Sequence, residues 1–266
     1  MKAPMLWVSV FLFASAVGGG RLYPREEHRF LVANSEERGR EEGDLERLRV
    51  NRISVAPEIA SFPPPSFQLV LEDRFQSAAL NTDLWSTSLK VFGRWGDRYH
   101  NDSYLNYLSE EDVLQENGML RLRSDRRSVE GDNPPGIYEY TSGMISSHDK
   151  FAFTYGYIEI RAKFPGGKGV WPAFWLMPQS HQWPPEFDIA EYYAGRKLMH
   201  LGLCHGDFPE ILWDSGGNSD VDFEGTWNTY GLLWLPGKAQ WIQNGVVKRE
   251  VVGPHVPSCP MYVILS

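Results

Sequence analysis

From Phe67 onward the chain is written in short apolar runs divided by turn-forming residues: "FQLVLEDRF", "GMLRLRSD", "SGMISSHD", "FAFTYGYIEIRAKF", "LMHLGLCHG", "NTYGLLWL", "AQWIQNG" and "PMYVILS". Runs of this length, at this spacing, predict strands rather than helices and fit an all-β sandwich or barrel. The alternation is clearest in "GYIEIRAKF", where Ile158, Ile160 and Ala162 share one face and Tyr157, Glu159, Arg161 and Lys163 the other. Asn244-Gly245, between two strand-like pieces, predicts a two-residue type I′ hairpin because both residues tolerate positive φ.

The pattern before Phe67 is different. Lys2 precedes the apolar run "APMLWVSVFLFASAV", which carries Ala14-Ser15-Ala16 near its end, and residues 1–18 read as a secretory signal peptide. The other reading, a membrane anchor, suffers from a run shorter than a normal span. Residues 19–66 are dense in both signs of charge and then in proline, and predict a disordered linker or pro-segment. Residues 67–266 form the expected folded domain, secreted, extracellular and monomeric.

Composition narrows the partner. A chain of 266 residues, 42% hydrophobic and 14% aromatic, can bury one large core. Its net charge of −8 argues against nucleic acid and against anionic membrane, both of which call for a basic patch. Neutral polymers fit better, and ten tryptophans supply flat faces on which sugars stack. Cys204 and Cys259 are the only cysteines, so there is no disulfide framework; one bridge between them and two free thiols are both open. Asn101-Asp102-Ser103 is a glycosylation sequon. No phosphate-binding glycine loop, dinucleotide fingerprint or internal repeat is present, and His181, His200 and His205 have no metal-ligand spacing.

"PPEFDIAEYY", Pro184 to Tyr193, sets three carboxylates in an otherwise apolar strand. A helix N-terminus would also accept proline and early acids, but Gly195 cuts such a helix short and the tyrosines favour a strand. In a regular strand Glu186 and Asp188 share a face and Glu191 points away. One extra residue at Ile189-Ala190 would make the alternation skip a step and bring Glu191 onto the same face. The two glutamates would then lie roughly 13 Å apart along the strand, and leaning side chains could close the gap to the roughly 5–5.5 Å of a retaining glycosidase pair. Glu186 would be the nucleophile, Asp188 its hydrogen-bonding and electrostatic partner, and Glu191 the acid and then the base.

"YTSGMISSHDKFAFTYGYIEIRAKFPGGKGVWPAFWLMP" followed by "WPPEFDIAE" resembles the catalytic half of glycoside hydrolase family 16, and Glu-x-Asp-x-x-Glu resembles the bulged motif of its laminarinase-like members. The resemblance, which extends over about 67–266, implies a β-jelly-roll of two antiparallel sheets with a concave glycan cleft. It implies the same three roles for Glu186, Asp188 and Glu191, no catalytic cofactor, and retaining endo-hydrolysis of a β-glucan with β-1,3 or mixed β-1,3/1,4 bonds. Trp171, Trp175 and Trp183 resemble the family's aromatic cleft positions, and His205 a cleft histidine that hydrogen-bonds sugar; for each, packing in the core is the competing reading. Asn228 stands where the family usually has His. "PMYVILS" resembles a strand that the family continues into at least one more, which often contributes to a structural calcium site; both are expected to be missing here. A non-catalytic β-glucan-recognition protein and a transglycosylase on the same fold are the alternatives, with a structural carrier of the charged segment behind them.

Overall fold

The computed structural model describes residues 5–15, 62–87, 105–132, 135–192, 198–207, 209–218 and 223–266. Asn101 and the charged stretch expected as a linker, up to residue 61, lie outside the described residues. The strands are β1 (Met5–Ser15), β2 (Phe67–Asp73), β3 (Asn106–Leu108), β4 (Val113–Glu116), β5 (Met119–Asp125), β6 (Val129–Asp132), β7 (Pro135–Tyr138), β8 (Tyr140–Ser142), β9 (Ile145–Ser146), β10 (Gly156–Lys163), β11 (Ala173–Pro178), β12 (Glu186–Glu191), β13 (Met199–Asp207), β14 (Glu210–Asn218), β15 (Trp227–Leu235), β16 (Lys238–Gln243), β17 (Val246–Val252) and β18 (Met261–Leu265).

Two sheets dominate. One runs β17-β16-β15-β10-β1-β5-β8-β3, with β2 beside β1 and β4 beside β5; the other runs β14-β13-β12-β11-β18-β9. Ile158, Ile160, Ala162, Leu232, Trp234 and Trp241 of the first pack against Phe174, Leu176, Phe187, Ile189, Leu201, Leu203 and Val263 of the second. The expected all-β sandwich is therefore present, and the alternation along β10 aims its apolar face at the core. Tyr157, assigned to the polar face, is buried as well, because Phe62 stacks on it at 5.7 Å and Leu233 and Ile242 close around it. Phe62, inside the stretch expected to be linker, therefore packs on the sandwich.

Asn244 (φ 50°) and Gly245 (φ 75°) form the two-residue turn between β16 and β17, with Gln243 paired to Val246. The run expected to be a signal peptide is β1. Its backbone pairs with β10 from Trp7↔Lys163 to Phe13↔Tyr157, and its other edge is shared by β5 and β2. A run rich in Val, Phe and Trp suits a strand as well as it suits a signal sequence. At the other end β18 is flanked by β11 and β9, so its own edges are both paired.

Candidate active site

β12 supplies the carboxylates, and an extra residue in it decides where they point. On the β13 side Asp188 pairs with Gly202 and Glu191 with His200, three steps against two; on the β11 side Trp175 pairs with Asp188 and Phe174 with Ala190. The extra residue falls at Ile189-Ala190. It keeps Phe187, Ile189 and Ala190 in the inter-sheet core and leaves Glu186, Asp188 and Glu191 together on the outer face of that sheet. A bulge also disrupts ladder hydrogen bonds. The carbonyl of Asp188 accepts a hydrogen bond from the Trp241 indole N–H at 2.8 Å, reaching across the core from the facing sheet.

Each glutamate is oriented by an indole. Trp183 Nε1 donates to Glu186 Oε2 at 2.7 Å, and Trp171 Nε1 donates to Glu191 Oε1. His200 Nδ1 lies 2.8 Å from Glu191 Oε2 and 3.9 Å from Asp188 Oδ2, bridging the far end of the row. Gly202, opposite Asp188, is required by space: a Cβ there would come within 2.7 Å of Asp188 Oδ2 and 2.6 Å of His200 Cε1.

Burial sets the protonation states. It pushes the Glu186 carboxyl up to about 7, against the pull of its hydrogen bond with Asp188, while the negative charge of Glu191 adds to the rise. Asp188, only 3% exposed and between two other carboxylates, is raised well above the ordinary range, first by burial and then by the charges of Glu186 and Glu191. Two carboxylates this close cannot both ionise cheaply. Of the two, Asp188 is the one that burial and both neighbouring charges favour in the protonated form, hydrogen-bonded to Glu186. The arrangement can attack an electrophilic carbon through Glu186 and exchange a proton through Glu191.

The other sequence candidates scatter. Trp171, 43% exposed, offers a face to solvent; Trp183 is half-buried; Trp175, paired in register with Asp188, is buried with Met144, Met177, Tyr262 and Ile264. His205 is a correction: successive side chains on a strand face opposite ways, and the one aimed at Glu186 from β13 is Cys204, which pairs with Glu186 in register. His205 projects to the opposite face, against Asp214 and His255. Of the two readings left open for Cys204 and Cys259, the structure takes the free thiols. Cys204 lies on the carboxylate face while Cys259 packs at the border of the inter-sheet core; burial pushes the Cys204 thiol up to about 12, with the charges of Glu186 and Asp188 adding to it. Asn228 accepts a hydrogen bond from Asn244 Nδ2 at 2.8 Å and so braces the hairpin.

Sequence reasoning missed Gly202 and His200 and assigned the cleft position to His205, the neighbour of Cys204, rather than to Cys204 itself. The signal was the alternation in "MHLGLCH": His200, Gly202 and Cys204 occupy one face, the face that meets the carboxylates.

Comparison with known proteins agrees with the geometry. The chain is 35% identical over 193 residues to a glucan endo-1,3-beta-glucosidase of Cryptopygus antarcticus, covering 68% of each chain. It is 31% identical over 168 residues to an endo-1,3-1,4-beta-glycanase of Rhizobium meliloti; the match covers 63% of this chain but only 36% of that relative's length. The solved endo-beta-1,3-glucanase of Pyrococcus furiosus superposes with a TM-score of 0.65 at 26% identity, over 74% of this chain and 82% of that one. Residues 100–266 match the model of glycosyl hydrolases family 16, and with the bulged carboxylate strand inside that span the chain belongs to this family.

Proposed function

We propose that the chain is a retaining endo-glycosidase acting on a β-glucan with β-1,3 or mixed β-1,3/1,4 bonds. The observation that carries this reading is the bulge at Ile189-Ala190, which puts two separately oriented glutamates and a buried aspartate on one face. Glu186 attacks the anomeric carbon while Glu191 protonates the leaving oxygen; a glycosyl ester to Glu186 forms, and Glu191, now a base, takes a proton from the water that hydrolyses it. Asp188 holds the Glu186 carboxylate in place through its own proton and spreads the charge that returns when the ester breaks. Trp171 and Trp183 orient the acids through their indole N–H groups and leave ring surface for pyranose stacking. The names of the Cryptopygus antarcticus glucan endo-1,3-beta-glucosidase and of the Pyrococcus furiosus endo-beta-1,3-glucanase support the substrate class. No helix among the described residues is long and apolar enough to cross a membrane.

Export to the extracellular space belongs to the same proposal, with residues 1–18 as its signal. Cleavage there would take β1 from between β10 and β5, so N-terminal sequencing of protein recovered from the medium separates a removed signal from a retained strand.

The activity is tested by incubating the parent and Glu186→Gln with laminarin and with mixed-linkage glucan, counting reducing ends and following the anomer released by proton NMR. Release by the parent alone, with the β-anomer appearing first, is the expected result. A folded parent that releases nothing but binds glucan would overturn hydrolysis in favour of recognition, and release of oligosaccharides longer than the substrate would favour transglycosylation.

A further inference from the structure

We propose that His205, Asp214 and His255 form a binding site for one divalent transition metal of the zinc class. The three side chains come from β13, β14 and the loop between β17 and β18, so no sequence spacing announces them. His205 Nε2 lies 3.6 Å and His255 Nε2 3.0 Å from the same oxygen, Asp214 Oδ2. Donor atoms bound to a tetrahedral zinc at about 2.0–2.1 Å are separated by about 3.3 Å, so these distances bracket the ligand spacing. The two imidazole rings approach to 4.5 Å between centroids at an angle of 31°.

Two further features single the cluster out. His255 Nε2 is sealed from solvent and makes no hydrogen bond although it faces Asp214; a buried imidazole nitrogen in that condition costs free energy that a metal bond would recover. His255 is also placed by a constraint on the chain, since a Cβ at Gly253 would come within 2.8 Å of His255 Nδ1 and 2.7 Å of its Cε1. Arg249 Nη2 lies 3.8 Å from the other oxygen, Asp214 Oδ1, which leaves Oδ2 for the ion. Two imidazoles and a carboxylate suit zinc, nickel or copper rather than calcium or magnesium. Asp214, at 41% side-chain exposure, gives the ion a path from solvent and the site a fourth position for water. The ion would tie the β13-β14 hairpin to the loop that follows β17.

The other histidine clusters do not compete. His148 Nε2 and His181 Nε2 are 2.7 Å apart, the length of a direct hydrogen bond and shorter than two ligands of one ion keep. The Asp188, Glu191 and His200 group is the candidate active site.

The test is titration of the full chain, freed of metal by a chelator, with Zn2+ in the calorimeter and with Co2+ in the spectrophotometer. One equivalent is expected, with tetrahedral d–d bands for Co2+, an affinity weakened about tenfold or more in His255→Ala and in Asp214→Asn, and unchanged stoichiometry in His200→Ala. Near-UV circular dichroism checks that the variants are folded, and the Co2+ spectrum of the parent needs no variant. Absence of saturable binding by the parent, or binding lost in His200→Ala and kept in His255→Ala, would overturn the assignment. Neither readout depends on hydrolysis.

Discussion

Replacing Glu186 by Gln removes a carboxylate that the fold holds against its preference to be neutral. Its proton affinity rises from an ordinary 4.5 to about 7, chiefly through burial. At about 1.4 kcal/mol for each factor of ten, that rise corresponds to about 3 kcal/mol of folding free energy. A carboxyl with a folded value raised above its unfolded one contributes stability fully present below about pH 4.5 and lost as pH climbs through about 7. Glutamine keeps the oxygen that accepts from Trp183 and has no proton to lose. Glu186 retains some contact with solvent, which trims the expected gain to about 1–3 kcal/mol. For a domain of this size that is roughly 3–10 °C in Tm. Thermal scans and urea titrations of parent and variant at pH 4, 6 and 8 read it directly: similar stability at pH 4, and a variant increasingly more stable than the parent toward pH 8, together with laminarin hydrolysis at background. A stability difference that stays the same across that range, or a variant less stable at pH 8, would refute the claim that this carboxylate is held under strain for catalysis.

Three other perturbations probe the support of the site. His200→Ala leaves Glu191 with Trp171 as its remaining orienting contact, and kcat on laminarin is expected to fall about ten- to a hundredfold with KM little changed; an unchanged kcat would remove His200 from the reaction. Gly202→Ala drives a methyl into Asp188 and His200, and urea unfolding should show a loss of about 1–3 kcal/mol together with slower hydrolysis. Trp241→Phe leaves the Asp188 carbonyl buried without its donor, a loss of about 1–3 kcal/mol by the same assay; a variant as stable as the parent would mean that water or a neighbouring amide replaces the indole.

How far the sequence carried depended on which physics each feature obeys. Strand cadence, the inward face of β10, the Asn244-Gly245 turn and the three acids with the step between them are local: side-chain alternation and backbone φ are set by neighbours in the chain, and "EFDIAE" contains its own extra residue. The family motif added the expected roles of Glu186, Asp188 and Glu191 for the same reason. What the sequence could not contain is which residue of another strand stands opposite. Register alone placed Cys204 rather than His205 beside Glu186 and brought His200 to Glu191. The burial of Tyr157 under Phe62 and the grip of Trp241 on the Asp188 carbonyl join segments far apart in the chain, as does the meeting of His205, Asp214 and His255. The raised proton affinities of Glu186 and Asp188 belong to the same class: two ordinary carboxyls become an unequal pair only when packing of the two sheets strips their water and sets them side by side.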